Sequence, residues 1–507
     1  MSLAIEMRNI TKRFPGVLAN DRIKLEIRER EIHSLLGENG SGKTTLMNIL
    51  FGLYQADEGE ILINGNLTQI RNPKDALQLG IGMVHQHFML VNRMNVLENI
   101  ILGYEDGNYK LNLRDSYRKV NDLSEKYGFN LDLNAMVEDL PVGIRQKVEI
   151  IKTLYRGAEV IILDEPTAVL TPQEVDDLFI ILSELKKKGK SIIFITHKLN
   201  ETMEIADQIT VLRKGQNVIS MDKNSTNPQE LARYMVGREV NFKLERTRQN
   251  LGPCIMAFHD IQLMKKAKNP IDLEIHSGEI LGIAGVEGNG QLELEEIIMG
   301  LRQVKAGSLT LAGQEIVRLS THERKNMSLG YIPSDRHKRA ILEKFSLHEN
   351  MLLGYQFDPD FSHRGIIQWK SLKKHTQDMI RQFAIKAENV EEKISNLSGG
   401  NQQKVVLARE ISQGPLFILA AQPTRGLDIG AVEYIHSLLL QLRNEGKAIL
   451  LISADLSEVM ECSDRIAVLY EGEIVAIKDS KEFAREEIGR LMAGEKRGDI
   501  KNGVEEK

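Results

Sequence analysis

The chain has 507 residues, of which 42% are hydrophobic, 27% charged and 5% aromatic, with a net charge of −5. That length exceeds one ordinary domain, and the composition is that of a globular protein rather than a disordered or membrane-embedded one. The negative balance gives no electrostatic footprint for nucleic acid. The longest apolar stretches, such as Val160–Leu163 and Ser191–Thr196, suit buried strands and fall far short of the ~20 residues that span a bilayer. Met1–Glu6 lacks a signal-peptide pattern. The two cysteines, Cys254 and Cys462, have no metal-ligand spacing and read as reduced thiols. The expected setting is cytosolic, and work at a membrane would need other subunits to supply the membrane part.

In chain order, the apolar run Ile32–Leu36 leads into Gly37-Glu38-Asn39-Gly40-Ser41-Gly42-Lys43-Thr44, which fits G-x-x-x-x-G-K-[ST]. A helical pattern follows, with Leu46, Ile49, Leu50 and Leu53 on one face. Glycines let successive backbone N–H groups turn inward on phosphate oxygens without a Cβ in the way. The helix N-terminus adds its positive end. Lys43 would reach the β- and γ-phosphates, the Thr44 hydroxyl would sit on Mg²⁺, and Thr45 would support the α-phosphate. Gly82-Met83-Val84-His85 precedes Gln86, to which residue type alone assigns no chemistry.

Val160–Leu163 reads as a buried strand ending in Asp164 and Glu165. That places both acids at the carboxyl end of a parallel sheet, where ligands bind in open α/β folds. There Asp164 would hold Mg²⁺ through water and Glu165 would polarise an attacking water. Capping of the next helix is the structural alternative. Ser191–Thr196 is a second strand and ends at His197, a candidate γ-phosphate contact that residue type leaves open.

The chain then repeats itself. Glu31–Gly40 reappears as Glu279–Gly288 at an offset of 248, and Asp164-Glu165-Pro166-Thr167 reappears as Ala421-Gln422-Pro423-Thr424 at 257. Two domains are expected, over 1–240 and 254–493, joined by the polar linker Asn241–Pro253 and followed by the solvated tail Gly494–Lys507. Alternating β-rich and helical runs predict an α/β core on a mostly parallel sheet in each. In the second loop, Gly285-Val286-Glu287-Gly288-Asn289-Gly290-Gln291-Leu292, Lys43 has become Gln291 and Thr44 has become Leu292. Asp164, Glu165, His197 and Gln86 correspond to Ala421, Gln422, Ala454 and Ser334. Glu293, Glu295 and Glu296 are expected to crowd the first turn of the next helix, where phosphates would lie. One ammonium–phosphate contact at ~4 Å is worth on the order of 4 kcal/mol at an effective dielectric of 20. Its loss beside three carboxylates predicts no productive second site.

The order of P-loop, Gln loop, LSGGQ-like segment, carboxylate strand and histidine, present twice, resembles the ABC (ATP-binding cassette) ATPases over nearly the whole chain. The resemblance implies ATP and Mg²⁺ as cofactors. It also implies two P-loop NTPase domains, each a mostly parallel sheet with a helical subdomain and an antiparallel β subdomain. It implies Phe14 as the aromatic stacked on adenine and Gly37, Glu38, Asn39, Gly40, Ser41, Gly42, Lys43, Thr44 and Thr45 around the phosphates. Thr44, Asp164 and Gln86 would attend the metal, and Glu165, His197 and Gln86 would form the catalytic group. In this family two cassettes pair head to tail, so that each ATP lies between one P-loop and the other cassette's signature. Leu397-Ser398-Gly399-Gly400-Asn401-Gln402 is near the signature pattern, with Asn401 for the usual Gln, and Gly426-Leu427-Asp428 keeps the D-loop aspartate. Leu140-Pro141-Val142-Gly143-Ile144-Arg145 is degenerate, because Pro141 offers neither hydroxyl nor N–H, and Val169-Leu170-Thr171 lacks the aspartate. Head-to-tail pairing puts the intact P-loop with the intact signature (Ser398, Gly399, Gly400, Asn401) and Asp428. The broken elements then face one another.

Tandem cassettes of translation factors keep two competent sites and a long charged linker, and DNA-repair forms carry coiled coils or zinc sites; this sequence has none of these. It is similar to the simple-sugar and nucleoside uptake class of bacterial importers. His85-Gln86-His87-Phe88-Met89-Leu90-Val91 and Gly288-Asn289-Gly290-Gln291 resemble the nucleoside branch, with a sugar importer as the alternative. The resemblance implies two transmembrane permease subunits, an extracytoplasmic solute-binding protein, and a peripheral place on the cytoplasmic face of the cell membrane. A tandem ATPase acting on a soluble partner is the non-transport alternative.

Overall fold

A computed structural model describes residues 2–86, 88–104, 112–167, 170, 172–239, 251–286, 288–304 and 306–494. The chain divides into two compact units, Met1–Val240 and Asn241–Lys507. Of the expected linker and tail, residues 241–250 and 495–507 lie outside the described residues, as do His87, Val169, Thr171 and Glu287. Among the described residues no helix is long and apolar enough to cross a membrane.

In the first unit a six-stranded sheet runs Gln216–Asp222, Gln208–Arg213, Ile32–Gly37, Ser191–Thr196, Val160–Asp164, Ile81–Val84. Only the first pair is antiparallel; the rest are parallel, with Ile32 opposite Ile192 and Asp164 opposite Ile195. The three central strands, Ile32–Gly37, Ser191–Thr196 and Val160–Asp164, are buried at every residue. That is why they do not show the polar/apolar alternation of half-exposed strands. A separate four-stranded antiparallel sheet orders Val17–Arg28, Leu3–Phe14, Glu58–Ile63 and Asn66–Leu67. A helical layer comprises Val96–Ile101, entered through an Asn95/Glu98 capping box, with Leu113–Tyr127 and Val142–Tyr155. Val148, Ile150 and Ile151 of the last helix are fully buried in one cluster with Val96 and Ile100. Each such side chain contributes about 1.5–3 kcal/mol of transfer free energy.

The second unit repeats this plan. Its six-stranded sheet runs Leu329–Ile332, Phe417–Ala421, Ala448–Ser453, Ile280–Ala284, Arg465–Tyr470, Glu473–Asp479, antiparallel only at the last pair. Its antiparallel sheet orders Ile271–His276, Cys254–Ile261, Ser308–Leu311 and Gln314–Glu315. Its helical layer holds Leu347–Leu352, with a Ser346/Glu349 capping box, Trp369–Gln382 and Gly399–Ile411.

Candidate active site

Parallel pairing of four neighbouring strands in the first unit brings their carboxyl ends to one edge. There the loop after Ile32–Gly37, then His197, then Asp164 and Glu165, then Gln86 follow in strand order. The helix Lys43–Leu50 starts at Gly42, whose φ of 99° is open to glycine and strained for other residues. A Cβ at Gly42 would stand 2.4 Å from Ala19 O and 2.5 Å from Asn20 Nδ2. Asn20 is itself buried and donates to Gly42 O at 3.1 Å. The hairpin of Leu3–Phe14 and Val17–Arg28 therefore buttresses the loop from outside, a role that only the fold reveals. The helix is shorter than its sequence pattern predicts: it ends at Leu50, and Leu53 beyond it is 47% exposed.

Lys43 is buried and its Nζ donates to Gly37 O at 2.6 Å and Glu38 O at 2.9 Å. Burial lowers its pKa, against the opposing pull of Glu165 and Asp164. Asp164 sits at the end of its strand, 5% exposed, and bonds the Thr44 side chain. Burial and the Glu165 charge push its carboxyl up to about 6, against Lys43 and Thr44. Glu165 follows in the left-handed region, φ 46°, which swings its carboxylate out of the strand line. Gln86 Nε2 donates to Glu165 Oε2 at 3.0 Å, and His197 Nδ1 lies 3.0 Å from Oε1. Burial raises the Glu165 pKa, but the His197 contact and the Lys43 and Lys198 charges outweigh it and hold it below the usual range. Glu165 thus stands ionised between an amide and an imidazole, at hydrogen-bond distance from both.

The donor set fits a nucleoside triphosphate with Mg²⁺. Ser41 Oγ is buried without a hydrogen-bond partner inside the loop, and a Cβ at Gly40 would meet only open space. Lys43, the loop N–H groups and the helix N-terminus supply positive charge. The Thr44 hydroxyl, Asp164 and the Gln86 amide oxygen are the hard oxygen donors that Mg²⁺ takes. Phe14 lies at the end of its strand, 36% exposed, its ring edge-on to Tyr54 at 5.5 Å with Lys12 Nζ 5.6 Å from the centroid. Tyr54 follows the loop's helix and carries no sequence signal that would have singled it out.

In the second unit the same backbone holds different chemistry. Gly290 is left-handed, φ 114°, and the Gln291 amide packs against Gly285 with its Oε1 buried and unpaired. The expected crowding of acids in the first helical turn needs correction. Only Glu293 is there, because Glu295 and Glu296 fall in the second turn of Gln291–Ile298. Glu295 is buried and accepts from the Tyr331 hydroxyl at 2.5 Å and from Ser334 N at 3.4 Å. Glu296 pairs with Arg339 at 2.6 Å and Arg302 at 2.9 Å. Glu295 is thus held by a hydroxyl and a backbone N–H, and Glu296 by two guanidiniums, all within unit two. Ala421 is buried, Ala454 is exposed, and Ser334 is committed to Glu295.

The signature residues of the second unit do come together. Ser398 is the N-cap of Gly399–Ile411. The Ser398 hydroxyl makes no cap bond; it accepts from Asn401 Nδ2 at 2.9 Å, while Asn401 Oδ1 takes Lys386 N at 2.8 Å. Asp428 caps Ile429–Asn444 by accepting from Ala431 N at 2.7 Å. A Cβ at Gly400 would lie 3.0 Å from Ala431 Cβ and 3.6 Å from Asp428 Oδ2, and one at Gly399 would lie 2.8 Å from Arg336 Nη2. Both glycines allow this close approach. In the first unit Pro141 occupies the N-cap of Val142–Tyr155 with no side-chain bond.

Fold and site together define a P-loop nucleotide-binding protein with two cassettes. The ABC transporter family profile matches residues 20–168 and 268–425, and the chain belongs to that family. It is an ATP-binding transport ATPase. It is 46% identical over 97% of its length, and 98% of the relative's, to the guanosine import ATP-binding protein NupO of Bacillus subtilis. It is 44% identical over 97% of its length, and 98% of the relative's, to the nucleoside import ATP-binding protein NupA of Lactococcus lactis. The glucose import ATP-binding protein TsgD13 of Haloferax volcanii is 41% identical over 97% of this chain and 96% of its own. The archaeal ribosome recycling factor aABCE1 shares the fold, with a TM-score of 0.60 at 17% identity over 91% of this chain and 87% of its own.

Proposed function

We propose that this chain is the energy-coupling ATPase of a bacterial nucleoside importer, acting from the cytoplasmic face of the membrane. Two permease subunits and an extracytoplasmic solute-binding protein would complete it. The observation that carries the nucleoside reading is its 46% and 44% identity, over nearly the full chain, to guanosine and nucleoside import proteins. The 41% identity to a glucose import protein supports a sugar importer as the second reading.

Within that reading one composite ATP site does the work. Phe14 stacks on the base, residues 37–42 with Lys43, Thr44 and Thr45 hold the phosphates, and Thr44, Asp164 and Gln86 hold Mg²⁺. The metal, when bound, supplies charge neutralisation between phosphate oxygens. Glu165 orients and polarises the attacking water, with Gln86 and His197 fixing its carboxylate at 3.0 Å each. The two units pair head to tail, so that Ser398, Gly399, Gly400, Asn401 and Asp428 meet the nucleotide held on Lys43. Support comes from the division of intact and degenerate elements between the units, which only this pairing sorts into one whole site and one broken one. The test is ATPase activity of the complex reconstituted with its permease and binding protein: nucleosides are expected to stimulate it severalfold and hexoses or pentoses to leave it unchanged. Stimulation by a sugar alone would reverse the assignment.

A further inference from the structure

The two units anchor the stem of the D-loop in chemically different ways. In the first, Glu201 is buried and accepts from Thr167 Oγ1 at 2.7 Å and from Lys198 Nζ at 2.9 Å. In the second, the equivalent Glu458 is 3% exposed; Thr424 Oγ1 donates to its Oε1 at 2.8 Å and His436 Nε2 lies 3.1 Å from the same oxygen. The residue equivalent to Lys198 is Asp455, and the residue equivalent to His436 is Phe179, which is buried edge-on to Phe194 at 6.0 Å. The counter-charge has therefore moved: Lys with Phe in one unit, Asp with His in the other. The acid needs a cation at one of the two positions, since a buried carboxylate without a partner is strongly unfavourable. Burial opposes the imidazolium, but the Cys462 thiol and Glu458 hold it charged, with its pKa pushed up to about 10.

Placement gives this exchange a consequence. Thr424 begins the turn that ends at Asp428, with Leu427 N bonded to Thr424 O at 3.1 Å. His436 lies two turns into the helix Ile429–Asn444 that Asp428 caps. One oxygen of Glu458 thus ties together both flanks of the segment that presents Gly426, Leu427 and Asp428. We infer that Thr424, Glu458 and His436 are positioning residues for the Asp428 loop, acting on ATP turnover through it. The inference rests on the proposed head-to-tail pairing, in which Asp428 serves the nucleotide on Lys43.

The experiment measures steady-state ATPase of the full chain, with melting temperature, for Asp428→Ala, Thr424→Val, His436→Phe and the double variant His436→Phe/Asp455→Lys. Thr424→Val removes one hydroxyl donor without unpairing the acid from its cation, so it keeps the test readable if His436→Phe fails to fold. Thr424→Val and His436→Phe are expected to lower kcat about tenfold, the scale of one charge-assisted hydrogen bond, with KM for ATP unchanged. The double variant, which rebuilds the first unit's arrangement, is expected to recover kcat to within about threefold of the parent, less than half a decade of rate. Full kcat in Thr424→Val would overturn the inference, as would a double variant that folds but does not recover. If Asp428→Ala also keeps full kcat, the pairing itself fails, and the positioning role with it. Loss in Asp428→Ala with full activity in the other variants would leave the pairing standing and remove only the positioning role.

Discussion

Asp164→Asn separates what the site costs from what it does. Asp164 is 5% exposed and its carboxyl is raised from the ordinary 3.8 to about 6 by burial first and the Glu165 charge second. A shift of about 2 units corresponds to about 3 kcal/mol at 1.36 kcal/mol per unit. The sign follows from linkage. Because the folded pKa lies above the unfolded one, the folded chain binds more protons between pH 3.8 and about 6, and stability falls as pH rises through that window. Above pH 6 the ionised carboxylate carries the full penalty; below 3.8 it carries none. Asparagine keeps the shape without the charge. In metal-free buffer at pH 8 the variant should therefore melt higher than the parent, by an upper bound of about 6–12 °C for a unit of this size. At pH 4 the gain should shrink to about 1 °C. With Mg–ATP present the order should reverse, because a ligand that binds only the folded parent stabilises it by mass action. Thermal melts with EDTA at both pH values, then with Mg–ATP, provide the measurement. An equal gain at pH 4 and pH 8, or a lower melting point at pH 8, would show that burial of charge is not the cause.

Two pairs of variants test the site further. Glu165→Gln should retain ATP binding and lose at least ~100-fold in turnover, the scale of a positioned base, while Gln422→Glu restores none; phosphate release and nucleotide retention together check both. Ser398→Ala should slow turnover ten- to a hundredfold, about 1.5–3 kcal/mol for a charge-assisted bond, with little change in melting temperature, because its hydroxyl makes no cap bond and accepts only an exposed bond from Asn401. Pro141→Ser should barely alter the rate, and a large gain from it would contradict the composite site.

Much of this was legible in the sequence for one physical reason: central parallel strands are buried on both faces, so they show as short, largely apolar runs without alternation, and ligands gather at their ends. Ile32–Gly37, Val160–Asp164 and Ser191–Thr196 therefore locate Lys43, Asp164, Glu165 and His197 at the ends of strands. What stayed hidden depends on contacts between residues distant in the chain. Asn20 reaches Gly42 through hairpin register, and Tyr54 meets Phe14 across two elements. Glu295 was read by proximity in sequence to the broken P-loop, whereas its side chain turns to Tyr331 and Ser334. The exchange of Lys198 and Phe179 for Asp455 and His436 is invisible in either motif because the compensation happens in space. That Gly399 and Gly400 open a helix is likewise a matter of packing, against Asp428, Ala431 and Arg336.

The broken unit also explains why no single reversion should revive it. Glu165 and Gln422 share φ of 46°, and their N–H groups donate to equivalent carbonyls, Ile195 O at 3.0 Å and Ile452 O at 2.7 Å. A non-glycine residue held there costs of order 1–3 kcal/mol, and the second unit bears that cost without a carboxylate to aim. The strained turn is thus a property of how the strand leaves the sheet, not of the chemistry proposed for Glu165. In the first unit it points a carboxylate at Gln86 and His197; in the second the corresponding residues are Ser334, whose N–H is bonded to Glu295, and Ala454, which has nothing to offer. Gln422→Glu would restore the side chain and the backbone that aims it, yet add a charge with neither amide, imidazole nor Lys43 ammonium to hold it ionised and placed. What the second unit retains intact is its other edge: Ser398, the two glycines behind it, and Asp428, clamped through Thr424 and His436 by Glu458. That division is what the proposed head-to-tail pairing asks of a cassette that completes a site rather than houses one.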